Sequence, residues 1–301
     1  MKVLVAVDGS AGSFEAVDQI GKVLSADADE VALFYTPPNI RVSKATDADL
    51  QARAREALAQ VIFDEARKRL PVALQAATQT IVGTQDPRVG IAQAAEKWGA
   101  DLAAVGARGL GLLDRLLLGS VSRAVVNASK VPVWVARAST VPAHPTMNLL
   151  VACESPELGR SGAELLGRLT WPAGATCRTL TVVSPMFVGR VPDWVQRQAR
   201  GPEVEAMVQN WAREHEEEVR ANVERMQQFC QDLSAPCRDC QTLVVEGEPA
   251  TEILAAIARE KIDLVVMGIK RKRAFAQAIL GSTSEAVLNH APCSVLLVPQ
   301  P

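Results

Sequence analysis

The apolar positions of the chain follow two alternating rhythms. Residues 2–7 (KVLVAV) are a short apolar run with β-branched residues, the pattern of a strand buried on both faces. Residues 12–25 then carry apolar side chains at helical spacing, with Ser10 or Ser13 placed to cap the first turn. The alternation continues with a strand over 30–36, a long Ala-, Gln- and Arg-rich helix over 46–70 closed by Pro71, a strand over 76–82, a helix over 86–98, a strand over 101–105, a helix over 119–129 and a strand over 132–136. From residue 148 the order begins again: strand 148–153, helix 157–169, strand 177–183, helix 203–233, strand 242–246, helix 250–260, strand 263–267, helix 281–290 and strand 293–298. Such alternation predicts an α/β fold, with parallel sheets covered by helices on both faces.

The second run is a copy of the first. Residues 116–136 (LLLGSVSRAVVNASKVPVWVA) and 278–298 (AILGSTSEAVLNHAPCSVLLV) share eight of 21 positions at a constant offset of 162. ADLAAVG (100–106) pairs with IDLVVMG (262–268) at the same offset, and VLVAVDGS (3–10) matches LLVACES (149–155). A repeat of this length is a duplicated domain, because solenoid periods run only about 20–50 residues. The polar, proline-containing stretch RASTVPAHPT (137–146) separates the copies. The expected division is therefore a first domain over 1–138, a linker over 139–146 and a second domain over 147–301. The length of 301 residues allows two domains of that size.

Composition changes this picture little. Apolar residues at 48 % and charged residues at 22 % are ordinary for a globular chain, and a formal net charge of −2 offers no basic stripe for nucleic acid or a membrane surface. The apolar runs are far below the roughly 18 residues needed to span a bilayer. The apolar run after Met1-Lys2 is too short for a signal peptide, and the chain reads as cytoplasmic.

Candidate chemistry gathers after the fourth strand of the first copy. Gly106-Ala107-Arg108-Gly109 is followed by nine residues and then Gly119-Ser120. In open parallel sheets ligands bind beyond the carboxyl ends of the strands, where strand order switches. Gly109 is expected to take a positive φ and to let backbone N–H groups approach an anion. Gly119-Ser120 opens a helix whose unpaired N–H groups and positive dipole end attract phosphate. The hydroxyls of Ser120 and Ser122 are expected to add donors, and Arg108 a charge. Gly109-Leu110-Gly111 is not a dinucleotide fingerprint, since it lacks the third glycine and follows the wrong strand. No G-x-x-x-x-G-K-[S/T] sequence is present, which excludes a P-loop.

The run G-x-x-G-x9-G-[S/T] is similar to the nucleotide signature of ATP-binding universal stress proteins. The chain resembles that family over essentially its whole length, twice, and the first strand ending in Val7-Asp8-Gly9-Ser10 resembles the family's first strand. The resemblance implies two tandem doubly wound, five-stranded sheets with strand order 3-2-1-4-5. It also implies ATP, with or without Mg, held by Asp8, Thr36 (at the end of the second strand, where backbone groups meet adenine), Val105, Gly106, Arg108, Gly109, Gly119, Ser120, Val121 and Ser122. The function implied is that of an ATP-responsive stress regulator. No general base or motif lysine stands at a suitable place, so binding without turnover is expected, and no residue is read as catalytic. Two alternatives remain open: a partner- or small-ligand-binding protein whose second domain carries the function, and a slow ATP hydrolase. Many members of the family dimerise through the fifth strand. Strands 132–136 and 293–298 are accordingly expected to form a pseudo-dimer within the chain, and whole chains to be capable of homo-oligomer formation.

In the second copy the motif is altered. Arg271 stands at the position of Gly109 and Glu154 at that of Asp8, and both changes add bulk, so one ATP per chain is expected. All six cysteines lie in this half. Cys237 and Cys240, with Cys230 and His215 nearby, provide one pair where zinc takes two, so they read as loop cysteines, with a metal site or a redox pair as the alternative and no disulfide scaffold expected. His144 and His290 read as solvated, the run Lys270–Arg273 as a solvated loop or an anion patch, and Trp194, Trp211 and Met226 as core, with a ligand-lining role as the alternative.

Overall fold

A computed structural model of the chain describes residues 1–38, 48–109, 118–138, 146–183, 201–238, 240–269 and 280–300. The first half runs β1 (Lys2–Ala6), α1 (Ala11–Lys22), β2 (Glu30–Tyr35), α2 (Ala48–Arg69), α3 (Val72–Gln75), β3 (Gln79–Val82), α4 (Pro87–Trp98), β4 (Leu102–Gly106), α5 (Ser120–Ala128) and β5 (Val133–Ala136). The second half runs β6 (Asn148–Ala152), α6 (Pro156–Gly167), β7 (Thr176–Val183), α7 (Pro202–Gln231), β8 (Gln241–Glu246), α8 (Pro249–Arg259), β9 (Leu264–Ile269), α9 (Ser282–His290) and β10 (Ser294–Pro299).

The sequence pattern missed one element. Pro71 closes α2 as expected, but it then starts α3, a single helical turn, and the third strand begins at Gln79 rather than at 76. Proline ends a hydrogen-bond ladder yet has the φ of a first helical turn, and Leu74 anchors this one in the core. Of the residues expected in the core, Met226 is buried, whereas Trp194 and the Trp211 side chain lie outside the described residues.

Each half has the strand order 3-2-1-4-5, but the two sheets are not separate. They join into one ten-stranded sheet, β3-β2-β1-β4-β5-β10-β9-β6-β7-β8. Neighbours within each half are parallel, and β5 meets β10 antiparallel, with Trp134 opposite Leu296. Strand side chains alternate between the two faces, so two cores result, and both run through the two halves. Val3, Val5, Leu33, Trp134, Leu149, Val151 and Leu296 share one with α1 and α2. Leu4, Val133, Val135, Leu150, Val295 and Leu297 share the other with α4 and α5.

The seam buries a polar cluster around Trp134. Its indole N–H donates to Gln19 Oε1 at 2.9 Å, and the Ser294 hydroxyl donates to the same oxygen at 2.7 Å. Ser294 Oγ accepts the Arg137 backbone N–H at 3.0 Å, while the Arg137 guanidinium donates to Leu288 O at the end of α9. The Trp134 ring stacks on Trp171 of the other half, with centroids 6.4 Å apart. Beside it, Arg123 pairs with Glu285 at 2.7 Å and donates to Asn289 at 2.9 Å.

Trp134 and Leu296, and likewise Arg123 and Glu285, are equivalent positions of the two copies at the offset of 162. A two-fold interface brings each such position onto its own equivalent. Two first halves would therefore set Trp against Trp and Arg against Arg, whereas the unlike halves set Trp against Leu and Arg against Glu. This divergence favours pairing within the chain over pairing of like halves. Arg123→Glu and Glu285→Arg should each destabilise the chain by at most about 1 kcal/mol, because the pair is half exposed, and the double swap should restore most of the loss. Denaturant unfolding of the four proteins checks this. Trp134→Ala should cost about 3–5 kcal/mol by the same measurement, since the ring is fully buried.

Candidate functional site

The strand order turns at β1, which has β2 on one side and β4 on the other. The helices α1 and α2 pack on one face of the sheet and α4 and α5 on the opposite face. A crevice opens where the carboxyl ends of β1 and β4 lie between them, the position at which doubly wound sheets bind ligands.

The turn after β1 is fixed by its own hydrogen bonds. Gly9 has φ +83°, a conformation that favours glycine. Asp8 Oδ1 accepts the Ser10 N–H at 2.9 Å, and the Asp8 N–H donates to Ser13 Oγ at 3.2 Å. Ser10 caps α1, with its hydroxyl oxygen accepting the Ser13 N–H at 3.2 Å. The aspartate is thereby held at the mouth of the crevice.

The turn after β4 lies directly on the first turn of α1. A Cβ on Gly106 would sit 2.4 Å from the Gly12 carbonyl carbon, and a Cβ on Gly12 2.5 Å from Arg108 O. Both positions therefore require glycine because backbone meets backbone. Gly109 differs from expectation. Its φ is not in the left-handed range; a Cβ there would come 2.4 Å from Asp8 Oδ2, the end of a side chain that can rotate. Next, Gly119 is the N-cap of α5 with no side-chain cap, which leaves the first N–H groups of the helix without a capping acceptor from it. Contrary to the expectation of a ligand donor, the Ser122 hydroxyl already donates within the protein. It is buried and donates to Gly106 O at 2.6 Å, tying α5 to the end of β4.

These parts surround a cavity of about 700 Å³, within the size range of small-molecule sites. Asp8, Thr36, Val105, Gly106, Arg108, Gly109, Gly119, Ser120, Val121 and Ser122 all line it. Sequence reasoning missed the apolar wall of Phe34, Ile91 and Leu118, together with Tyr35, Ser13 and, at the α5 side, Arg123. Burial, and secondarily the Asp8 charge, push the Tyr35 phenol pKa up, so its hydroxyl stays protonated. Thr36 Oγ1 is buried with no hydrogen-bond partner, and a Cβ on Gly83 would lie 2.3 Å from it. Strand 30–36 signals Phe34 and Tyr35, since its last residues reach the carboxyl edge beside Asp8; nothing local marks Ile91 or Leu118.

The equivalent edge of the second half is built differently. Glu154 is exposed, whereas Asp8 is partly covered. Gly159 occupies the place of Ser13, so the serine that accepts the Asp8 N–H has no counterpart. The Gln300 side chain sits where a Cβ on Gly268 would project. Lys270, Arg271 and the rest of the basic run lie outside the described residues, as does His144. His290 is exposed. His215 is not near the cysteines; its Nε2 lies 2.8 Å from Glu246 Oε1. Among the described residues no group of His, Cys, Asp and Glu is arranged to hold a metal. The reading of Cys230, Cys237 and Cys240 as separate loop cysteines is corrected. Cys230 and Cys240 form a disulfide, and Cys237 is fully buried against Cys177, because β7 and the end of α7 meet there.

An α/β doubling with a crevice of this form defines the class of protein, and sequence comparison names the family. The profile of the "Universal stress protein family" matches residues 1–137 and 149–299, and the chain belongs to that family. A universal stress protein from Thermus aquaticus is 48 % identical over 56 residues, which is 19 % of this chain and 41 % of that protein. Universal stress protein MJ0531 of Methanocaldococcus jannaschii is 42 % identical over 60 residues, 20 % of this chain and 35 % of that protein. The matched stretches thus span less than half the length of these relatives. A universal stress protein structure from Archaeoglobus fulgidus superimposes with a TM-score of 0.64 at 21 % identity, covering 100 % of this chain and 98 % of that one. This last likeness shows the fold. No described helix is long and apolar enough to cross a membrane.

The two glycines of the first motif should respond differently to the same substitution. Gly106→Ala forces backbone against backbone and should destabilise the chain by about 1–3 kcal/mol. Gly109→Ala meets only a carboxylate that can rotate away, so the loss should stay below about 1 kcal/mol while Asp8 changes rotamer. Urea unfolding of both variants, with a crystal structure of the second, provides the check.

Proposed function

We propose that the first half binds ATP in this cavity and that the protein acts as a nucleotide-responsive stress regulator, by binding rather than by turnover. The observation that carries the reading is the convergence of Asp8, the 106–109 turn and the N-terminus of α5 on one cavity at the switch in strand order. In this reading the phosphates lie at the first N–H groups of α5, with the Ser120 hydroxyl and Arg108 adding donors. Asp8 accepts from the ribose hydroxyls. The base enters between Phe34, Ile91, Val105 and Leu118, where Thr36 supplies a polar contact. Magnesium accompanies the phosphates if their charge requires it.

Binding without turnover fits the carboxylate supply. Among the described residues that line the cavity, Asp8 is the one acid, and its Oδ1 is occupied by the Ser10 N–H. The residues 1–138 and 147–301 act as two domains in this reading, joined by 139–146 and by the seam, and the protein works in the cytoplasm, where ATP is at hand. The second half does not bind ATP in the same way, because Glu154 and Gly159 remove the held aspartate and Arg271 adds bulk at the position of Gly109.

Calorimetric titration of the full chain with ATP, with and without magnesium, tests the proposal. A stoichiometry near one is expected, and Gly109→Val should abolish it, since its side chain fills the space beside Asp8. A stoichiometry near two would refute the account of the second half. Unaltered affinity in Gly109→Val would refute the site itself.

A further inference from the structure

The second half brings four of the chain's six cysteines onto one face of β7. Cys177 and Thr179 are two residues apart on that strand and therefore share a face, and both are buried. Cys230 lies in the last turn of α7, buried, with its sulfur 3.5 Å from Thr179 Oγ1 and 3.6 Å from Thr242 Oγ1 of β8. The chain then turns through Ser234, whose carbonyl accepts the Cys237 N–H at 2.9 Å, and delivers Cys237, fully buried, to Cys177. The two sulfurs are 2.8 Å apart. Cys240 follows, half-buried, and is bonded to Cys230 with 5.5 Å between the Cα atoms. The first half has no cysteine, and neither the nucleotide reading nor the seam makes use of these residues.

Buried thiols usually pack as small apolar groups and do not need each other. Here two pairs converge from three separate segments: β7, the end of α7 and the loop 232–240. The unbonded pair is less than about 1 Å from the length of a sulfur–sulfur bond. We propose that Cys177 and Cys237 are a second dithiol–disulfide pair, which oxidation closes beside Cys230–Cys240 so that the end of α7 and the loop after it are clamped to β7.

The oxidant is a small-molecule disulfide, RSSR. The Cys237 thiolate attacks one of its sulfurs, forming a mixed disulfide and releasing RS⁻. Cys177 then gives up its proton and attacks the Cys237 sulfur, which forms the Cys177–Cys237 bond and expels the second RS⁻. Two protein thiols are oxidised, one RSSR is reduced to two RSH, and the two thiol protons end on the two leaving thiolates. Cys237 is the attacking group because it lies on the turn that follows α7, whereas Cys177 is fixed in β7, where its hydrogen bond with Cys237 and its burial push the thiol well above its ordinary pKa. Cys240, the half-buried member, is the point of entry for the Cys230–Cys240 bond. The buried pair needs the 232–240 turn to open and so should react more slowly.

The test uses the full chain, reduced with dithiothreitol and then oxidised with glutathione disulfide. It is denatured at intervals, alkylated with N-ethylmaleimide, weighed intact and mapped without reduction. The reduced chain should take up six labels. The oxidised chain should take up two, on Cys153 and Cys293, with cross-links 230–240 and, more slowly, 177–237. Reduction should lower the Tm, and by less in Cys177→Ser, where Cys237 should stay alkylatable after oxidation. A Cys153→Ser/Cys293→Ser double variant should retain both cross-links. Exhaustively oxidised wild-type protein that still carries label on Cys177 and Cys237 would overturn the proposal. So would a 237–240 cross-link in place of 177–237, or stoichiometric zinc held by the reduced native chain and released with the appearance of four thiols.

Discussion

The first turn of α1 rests on the turn after β4 with no side chain between them. Gly12 and Gly106 make that approach possible, and the layout of the cavity depends on it. The contact sets the distance between the ends of β1 and β4. It places Ser10 within 3.4 Å of Arg108 O and brings Gly109 against Asp8. Ser122 closes the other side by donating to Gly106 O. A cavity whose lining comes from strands, turns and a helix N-terminus can hold its shape only if those backbones are fixed to one another, and here they are fixed without relying on mobile side chains.

The seam has a different physical basis. A parallel sheet ends in an edge strand whose free backbone groups invite pairing, and β5 and β10 satisfy each other. The hydrophobic layers on both faces then continue across the junction, so the two halves share their cores. Polar specificity is added by Gln19, whose amide oxygen accepts from both Trp134 and Ser294 and so belongs to both halves. Arg123 lines the cavity and also binds Glu285, which puts one side chain in contact with both the candidate site and the second half.

The halves have diverged in what they place at equivalent positions. At the carboxyl edge of the first, a serine, an aspartate and two glycines cooperate. At the same edge of the second, Glu154 projects to solvent and Gly159 removes the serine. The second half has instead invested in sulfur, between β7 and the end of α7. A duplicated fold permits this division because each half keeps its share of the common core whatever its edge carries.

The amino-acid sequence by itself determined the alternation of strands and helices, the duplication, the strand order through the family resemblance, and the motif side of the cavity lining, though not its wall of Phe34, Ile91 and Leu118. These are local or periodic properties: burial on both faces demands continuous apolar runs, and a helix opening at Gly119 is visible in its own residues. The single turn α3 was hidden because Val72–Gln75 is too short to display a period. Only the tertiary structure decided that Gly109 lies against the Asp8 carboxylate, that the Ser122 hydroxyl is already bonded, that Arg123 faces Glu285, and that Cys177 meets Cys237. Each of these depends on how two segments distant along the chain approach one another. That approach is set by the packing of the whole sheet and its helices, and no window of sequence contains both partners.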